Sequence, residues 1–257
     1  VGPPGALATL LPALGLALPA GRSCLLGCGR GRLDRTLARA GVVADHLGLD
    51  LSPASLQAAE AAAMAAGLTG LRYHQADLDR LELPAGAFDL ILAEMSLHHV
   101  VRLEALYETV ARALRPGGLF VIDEYVGPTR FQWSERQMQL TNALQELLPR
   151  EHRRTTEGEI KTPVVRQEEA FFQRVDPSEA VRSGEVLPLL RARFEVLWER
   201  PYGGALLHPL LYDIAWNFPP GDTLSEALLD TAIRLEGEFE RSGEIGSDFI
   251  ALVARPR

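Results

Sequence analysis

The sequence predicts an α/β fold, a doubly wound and mostly parallel sheet with helices on both faces, and three observations predict it. An apolar run, Cys24-Leu25-Leu26, enters a loop with glycines at 27, 29 and 31. Short apolar runs then alternate with segments of helical periodicity as far as residue 123. Acidic residues, Asp50 and Asp77, stand at the ends of two of those runs, where open α/β sheets bind ligands.

Taken in order, the glycine loop leads straight into a helix whose Leu33 and Leu37 share a face. Its glycines let the backbone turn tightly and approach a ligand where a Cβ would collide. The N–H groups at the start of the helix face whatever sits there, which makes a cradle for a nucleotide-like cofactor. The pattern is G-x-G-x-G, and no G-x-x-x-x-G-K-[ST] occurs, so a phosphate-gripping P-loop is excluded. The second strand ends in Gly48-Leu49-Asp50-Leu51-Ser52. An acid about 20 residues beyond such a loop can accept both hydroxyls of an adenosine ribose. Ser52 and Pro53 read as N-cap and first residue of a helix that runs through alanines to Ala66 and ends at Gly67. A third strand over Tyr73–Leu78 carries Asp77 at its end, and a fourth spans Phe88–Ala93. A helix near 102–114 puts Leu103, Leu106, Val110 and Leu114 on one face, stops at Arg115-Pro116-Gly117-Gly118, and gives way to a fifth strand, Leu119–Asp123.

These segments, with Ala76-Asp77-Leu78, Phe88-Asp89-Leu90-Ile91 and Ser96-Leu97-His98-His99-Val100, resemble the class I S-adenosylmethionine (SAM)-dependent methyltransferases in content and order. The resemblance implies a Rossmann-like sheet of seven strands and SAM as cofactor. It implies that Gly27, Cys28, Gly29 and Gly31 face the methionine part of SAM, that Asp50 and Leu51 hold the ribose, and that Asp77 and Leu78 meet the adenine. Backbone near Ala93–Met95 would line the reacting end, with Glu94 close by. One departure stands out: the family usually has Asp or Glu two residues before the first glycine, where this chain has Leu25. That departure keeps open a non-catalytic binding or scaffold protein, and the fold also admits chemistry other than methyl transfer.

With 26 Lys and Arg against 34 Asp and Glu, the net charge of −8 argues against a nucleic-acid partner, which would want a basic stripe. The cluster Arg150, Arg153 and Arg154 is interrupted by Glu151, Glu157 and Glu159 and reads as a solvated helix end. Cys24 and Cys28 have neither disulfide nor metal spacing, and reduced thiols suit a cytoplasmic protein. The apolar stretch Ala6–Leu18 is too short to span a bilayer and is broken by Pro12 and Gly15, so a helix beside the cofactor entrance is expected.

The organisation expected is a SAM-binding core over 1–125, a helical insertion over 126–192, and completion of the sheet over 193–257 with a second helical insertion at about 205–242. Roughly seventy residues separate the fifth strand from the next, Phe194–Trp198, and connections that long are usually functional. Helices are expected near 134–148, 167–174, 177–183, 185–192, 205–217 and 223–242, and a last strand over 248–254. The insertions hold Phe131, Trp133, Phe171, Phe172, Tyr202, Tyr212, Trp216 and Phe218, as a dry acceptor pocket or as the insertions' own core. Tyr125, Arg130, Trp133, Tyr202 and His208 are the candidate acceptor-binding residues.

Methyl transfer needs alignment and exclusion of water, and a hydroxyl acceptor gains from a general base. His99 and Glu124 are the candidates for that role, ahead of His98 and His208. Glu94 and Asp123 suggest a metal-assisted alternative, but no third ligand accompanies them and no metal is assigned. The reading is a SAM-dependent methyltransferase acting on a small or medium-sized molecule at oxygen, because no Asn/Asp-Pro-Pro-Tyr follows the fourth strand.

Overall fold

The computed structural model describes residues 4–257. Its sheet has seven strands in the order β3-β2-β1-β4-β5-β7-β6. They are β1 (Ala20–Leu26), β2 (Val43–Asp50), β3 (Leu71–Gln75), β4 (Phe88–Glu94), β5 (Leu114–Tyr125), β6 (Phe194–Pro201) and β7 (Phe249–Pro256). β1 to β5 pair in parallel, with Leu26 opposite both Leu49 and Ala93, and Glu94 opposite Asp123. The chain reverses direction across the sheet between β1 and β4, which leaves a crevice at their carboxyl ends.

Local chemistry explains the flanking helices. α1 (Pro4–Ala13) ends before the apolar stretch Ala6–Leu18 does, because Gly15 turns away at φ 92°. α2 (Arg32–Arg39) follows the glycine loop directly. In α3 (Pro53–Ala65) the Ser52 hydroxyl accepts from Ser55 N, Pro53 opens the first turn, and Gly67 closes it at φ 67°. α4 (Leu103–Ala113) buries Leu103, Leu106 and Val110, as its periodicity requires. β5 starts earlier than expected, at Leu114. The Pro116-Gly117-Gly118 segment is absorbed as a bulge, so the register jumps from Phe88↔Leu114 to Leu90↔Leu119.

The chain forms two compact units. The first holds the chain up to Val126, Ser178–Arg200 and Ile250–Arg257, and the second holds Gly127–Pro177 and Pro201–Phe249. The first unit has an apolar layer on each face of the sheet, one around Phe120, Tyr107 and Phe194, the other around Leu11, Leu25 and Leu37. The expected insertion 126–192 is therefore divided. Residues 178–192 pack with the first unit, where α7 (Val186–Arg193) lies by α4 and the Tyr107 hydroxyl donates to Val186 O at 3.0 Å.

The second unit contains α5 (Glu135–Leu147), α6 (Glu169–Val175), α8 (Leu207–Leu211) and α9 (Thr223–Ser242) around a core that includes Leu144, Leu206, Leu210 and Ile214. Ser134 and Gln137 form a reciprocal capping box on α5, and Asp222 caps α9. Two expected helices differ. Residues 177–183 form turns, because Val181 N–H donates to the His98 carbonyl (3.0 Å) and buried Ala180 takes φ 48°. The helix expected over 205–217 breaks at Asp213 (φ 60°), where the Lys161 ammonium takes the carbonyls of Pro209, Leu210 and Tyr212.

Candidate active site

The loop after β1 carries Gly27, Gly29 and Gly31 at φ 70°, 53° and 68°, all left-handed. A Cβ on Gly27 would sit 2.4 Å from Ser96 Cβ, and one on Gly31 would sit 2.6 Å from the Tyr73 hydroxyl, so both are held against protein. Gly29 differs: nothing lies within 4 Å of its would-be Cβ. Its backbone therefore borders open space at the crevice, as a ligand cradle requires.

Asp50 closes β2 beside this loop. Its Oδ2 accepts from Gly29 N (2.8 Å) and its Oδ1 from Ser52 N (2.9 Å). These bonds fix the carboxylate and leave acceptor lone pairs on both oxygens for a diol. Leu51, next to it, is 65% exposed, an apolar surface of the kind a sugar or purine ring covers. Asp77 is exposed and is aimed by Asp79 N (3.0 Å), while Leu78 packs half-buried against the core. Glu94, half-buried, meets Arg32 at 3.3 Å. Burial pushes its carboxyl up, Arg32 offsets this in part, and Asp123 adds to the rise. A cationic ammonium would relieve that pair of acids, so these residues fit SAM.

Leu25 is 1% exposed and lies in the apolar layer that contains Leu7 and Leu11 of α1. Cys28 is buried too, its N–H donates to Leu49 O (2.8 Å), and desolvation followed by the Asp34 charge pushes its thiol far up, so it is no nucleophile.

Beyond β4 the chain makes a tight turn. Met95 takes φ 49°, and the Ser96 hydroxyl donates to Leu26 O (2.8 Å), tying this turn to the end of β1. Glu124 has no exposed surface. It accepts from Ser96 N (2.8 Å), Leu97 N (2.6 Å) and Tyr125 N (2.7 Å), and its Oε1 lies 2.5 Å from His98 Nδ1. It therefore reaches His98 rather than solvent, and it positions the turn. His99 is half-buried, with Nδ1 3.0 Å from Ser178 Oγ, and the two imidazoles lie 4.2 Å apart. Tyr125 is buried and points an edge at His98, 6.3 Å between centroids.

In the second unit, Arg130 sits at φ 54°, a left-handed position that costs a non-glycine residue about 1–2 kcal/mol. Glu169 takes its guanidinium at 3.1 and 3.2 Å, Pro177 O accepts at 2.8 Å, and the Phe172 ring lies beneath it. Trp133 stacks on Phe131 (5.4 Å), and His208 meets Phe131 (5.4 Å) and Phe249 (5.3 Å). Tyr202 is 47% exposed and packs on Phe249. Arg130, Trp133, Tyr202 and His208 thus belong to one aromatic group, whereas Phe218 joins the core and Tyr212 and Trp216 face solvent.

Two groupings were missed by the sequence reading. Ser178 and Glu179 stand beside the histidines although some 80 positions separate them in the chain: Glu179 Oε1 lies 3.7 Å from His98 Nε2. Ser23, His46 and Asp34 form a fully buried relay from β1, β2 and α2, with 2.7 Å from Ser23 Oγ to His46 Nδ1 and 3.0 Å from His46 Nε2 to Asp34 Oδ1. Its burial makes it a strut that fixes α2 against the sheet. A helix spacing or strand alternation would have revealed neither.

A family model described as a methyltransferase domain matches residues 25–122. A ubiquinone biosynthesis O-methyltransferase of Methylobacterium nodulans is 37% identical over 95 residues, which is 37% of each chain. A demethylmenaquinone methyltransferase of Tropheryma whipplei is 34% identical over 117 residues, 45% of this chain and 47% of that one. The chain therefore spans less than half the length of these curated relatives. The crystal structure of a SAM-dependent methyltransferase from Mesorhizobium loti superposes with a TM-score of 0.57 at 27% identity, covering 98% of this chain and 96% of that one. The motif order, the strand order and this end-to-end likeness agree: residues 25–122 carry a methyltransferase domain, and the chain has the fold of a SAM-dependent methyltransferase.

Proposed function

We propose that this chain transfers a methyl group from SAM to a hydroxyl oxygen of a small or medium-sized acceptor. The observation that carries the reading is the Asp50 carboxylate, fixed by two backbone N–H groups beside the open space over Gly29 and the exposed Leu51. When bound, SAM supplies a methyl carbon on a sulfonium, and the acceptor displaces it in line while the bonding pair leaves with sulfur. Asp50 takes the ribose hydroxyls, Asp77 and Leu78 take the adenine, and Glu94 with Asp123 takes the ammonium. That last pairing does the work of the acid missing at position 25.

The histidine pair beyond β4 handles the acceptor's proton. Glu124 holds His98, and His98 and Ser178 flank His99, which accepts the proton. Tyr125, beside His98 in the first unit, is assigned to acceptor recognition. Oxygen is favoured by the relative named an O-methyltransferase. The name of the demethylmenaquinone methyltransferase leaves the accepting atom open, and the position of the new methyl in the product separates oxygen from carbon.

Calorimetric titration of the protein with SAM and with its demethylated product tests the reading. Asp50→Ala should weaken SAM binding about 10–100-fold, the equivalent of roughly 1–3 kcal/mol for hydroxyls left unpaired. Unchanged affinity would remove Asp50 from the site, and no binding by the wild type would favour a scaffold.

A further inference from the structure

We propose that His98, His99 and Glu179 hold a divalent first-row transition-metal ion, with zinc as the reference case. Each residue brings one ligand atom within 4.8 Å of the other two, and all three belong to the first unit. Glu94 and Asp123, the pair that the sequence suggested for a metal, face each other across β4 and β5 but belong to no such group of three among the described residues.

The hydrogen bonding sets up the ligands. Three backbone N–H groups already donate to Glu124, so His98 Nδ1 is the donor in that contact and Nε2 is the atom turned toward Glu179 that would ligate an ion. This is the carboxylate–imidazole arrangement that orients metal-bound histidines. His98 Nε2 lies 3.7 Å from a carboxylate oxygen of Glu179. Two ligands on one zinc ion, each about 2.0–2.1 Å from it, stand on the order of 3.4 Å apart. Ser178 Oγ, 3.0 Å from His99 Nδ1, orients the second imidazole.

The backbone is also committed to this placement. Glu179 precedes Ala180, a buried non-glycine residue at φ 48°, and the next N–H, of Val181, donates to the His98 carbonyl. Strain of this kind is held where the surroundings over-determine it, and it clusters at functional sites. Two imidazoles and one carboxylate suit zinc or iron(II) rather than magnesium or calcium, and they leave coordination positions open.

Resting on the oxygen-methylation reading, those positions would take the acceptor hydroxyl. Coordination lowers the hydroxyl's pKa, its proton leaves to solvent, and the oxygen pair forms the new bond to carbon as the carbon–sulfur pair departs with sulfur. In the metal-bound protein His99 is a ligand and solvent takes the proton that His99 accepts when the ion is absent.

The test uses the full chain stripped with a chelator and titrated with Zn²⁺ by calorimetry and with Co²⁺ by absorption. One ion per chain is expected, with proton release measured in buffers of different ionisation heat. His99→Ala and Glu179→Gln should each weaken binding at least about tenfold. Circular dichroism checks folding. If His99→Ala is misfolded, Glu179→Gln decides, since its side chain is 32% exposed. Absence of uptake by the wild type, or uptake unchanged in the folded variants, overturns the site. SAM titration of the same samples separates the two proposals: SAM binding without metal uptake removes the ion alone, and metal uptake without SAM binding removes the methyltransferase reading alone.

Discussion

Glu124 in the first unit and Asp248 in the second are both carboxylates with almost no exposed surface, and their surroundings are opposite. Three backbone N–H groups and the His98 ring converge on Glu124. Asp248 has the Trp133 indole beside it and Gln137 Nε2 at a long 3.4 Å; burial pushes its carboxyl up to about 7, the Trp133 donor offsets this in part, and the Glu236 charge adds to the rise. Glu236 is itself buried but takes three N–H groups, from Gly204, Leu206 and Leu207, at 3.0, 2.7 and 3.0 Å. Burial alone therefore does not mark a functional acid. What separates the two is the number of donors aimed at the charge, because each donor replaces hydration lost on burial.

The largest effect expected from breaking this contrast is at Glu124. Glu124→Ala removes the acceptor for four buried donors at once and should cost about 3–5 kcal/mol of stability, read from urea denaturation. A loss below about 1 kcal/mol would mean that water replaces the carboxylate, and Glu124 would then not be what holds the turn beyond β4.

Leu25 sharpens the comparison from the other side. The family's usual acid at this position would here enter an apolar layer with Leu7, Leu11 and Leu37. Leu25→Asp should destabilise the protein by about 2–4 kcal/mol without strengthening SAM binding. A folded variant with tighter SAM binding would show instead that position 25 reaches the cofactor, and that Glu94 does not serve in its place.

These residues also show what was legible in the chain. The glycine loop, Asp50, the Ser52 cap and α4 follow from neighbours within a few positions, and each stands as its local pattern requires. The seven-stranded sheet followed from the motif order, whereas the strand order came from the structure. What escaped notice depends on partners far away in sequence. The turns at 177–183 are set by the His98 carbonyl, the break after α8 by Lys161, and the surroundings of Leu25 by α1. Glu124 was legible as an acid after the fifth strand, but its role depends on which N–H groups the neighbouring turn aims at it. The convergence of Glu179 on the histidines has no local signature either, since it enters on a connection that looked like part of the insertion.

The smallest effect is expected at Asp248, and it separates charge from packing. An acid whose folded-state value is raised from 3.8 to about 7 contributes most to stability when it is neutral in both states, below about pH 4. That contribution is lost as the pH rises through about 7, where the folded protein must ionise a buried carboxyl. The wild type should therefore lose stability between pH 5 and pH 8 along this term. Asp248→Asn keeps an oxygen for Gln137 and cannot ionise, so its stability relative to the wild type should be greater at pH 8 than at pH 5, by on the order of 2–3 kcal/mol. Denaturation midpoints of both proteins at the two pH values measure this. Equal differences at both would mean that Asp248 keeps its charge throughout, and that donors beyond Gln137 and Trp133 hold it much as Glu124 is held.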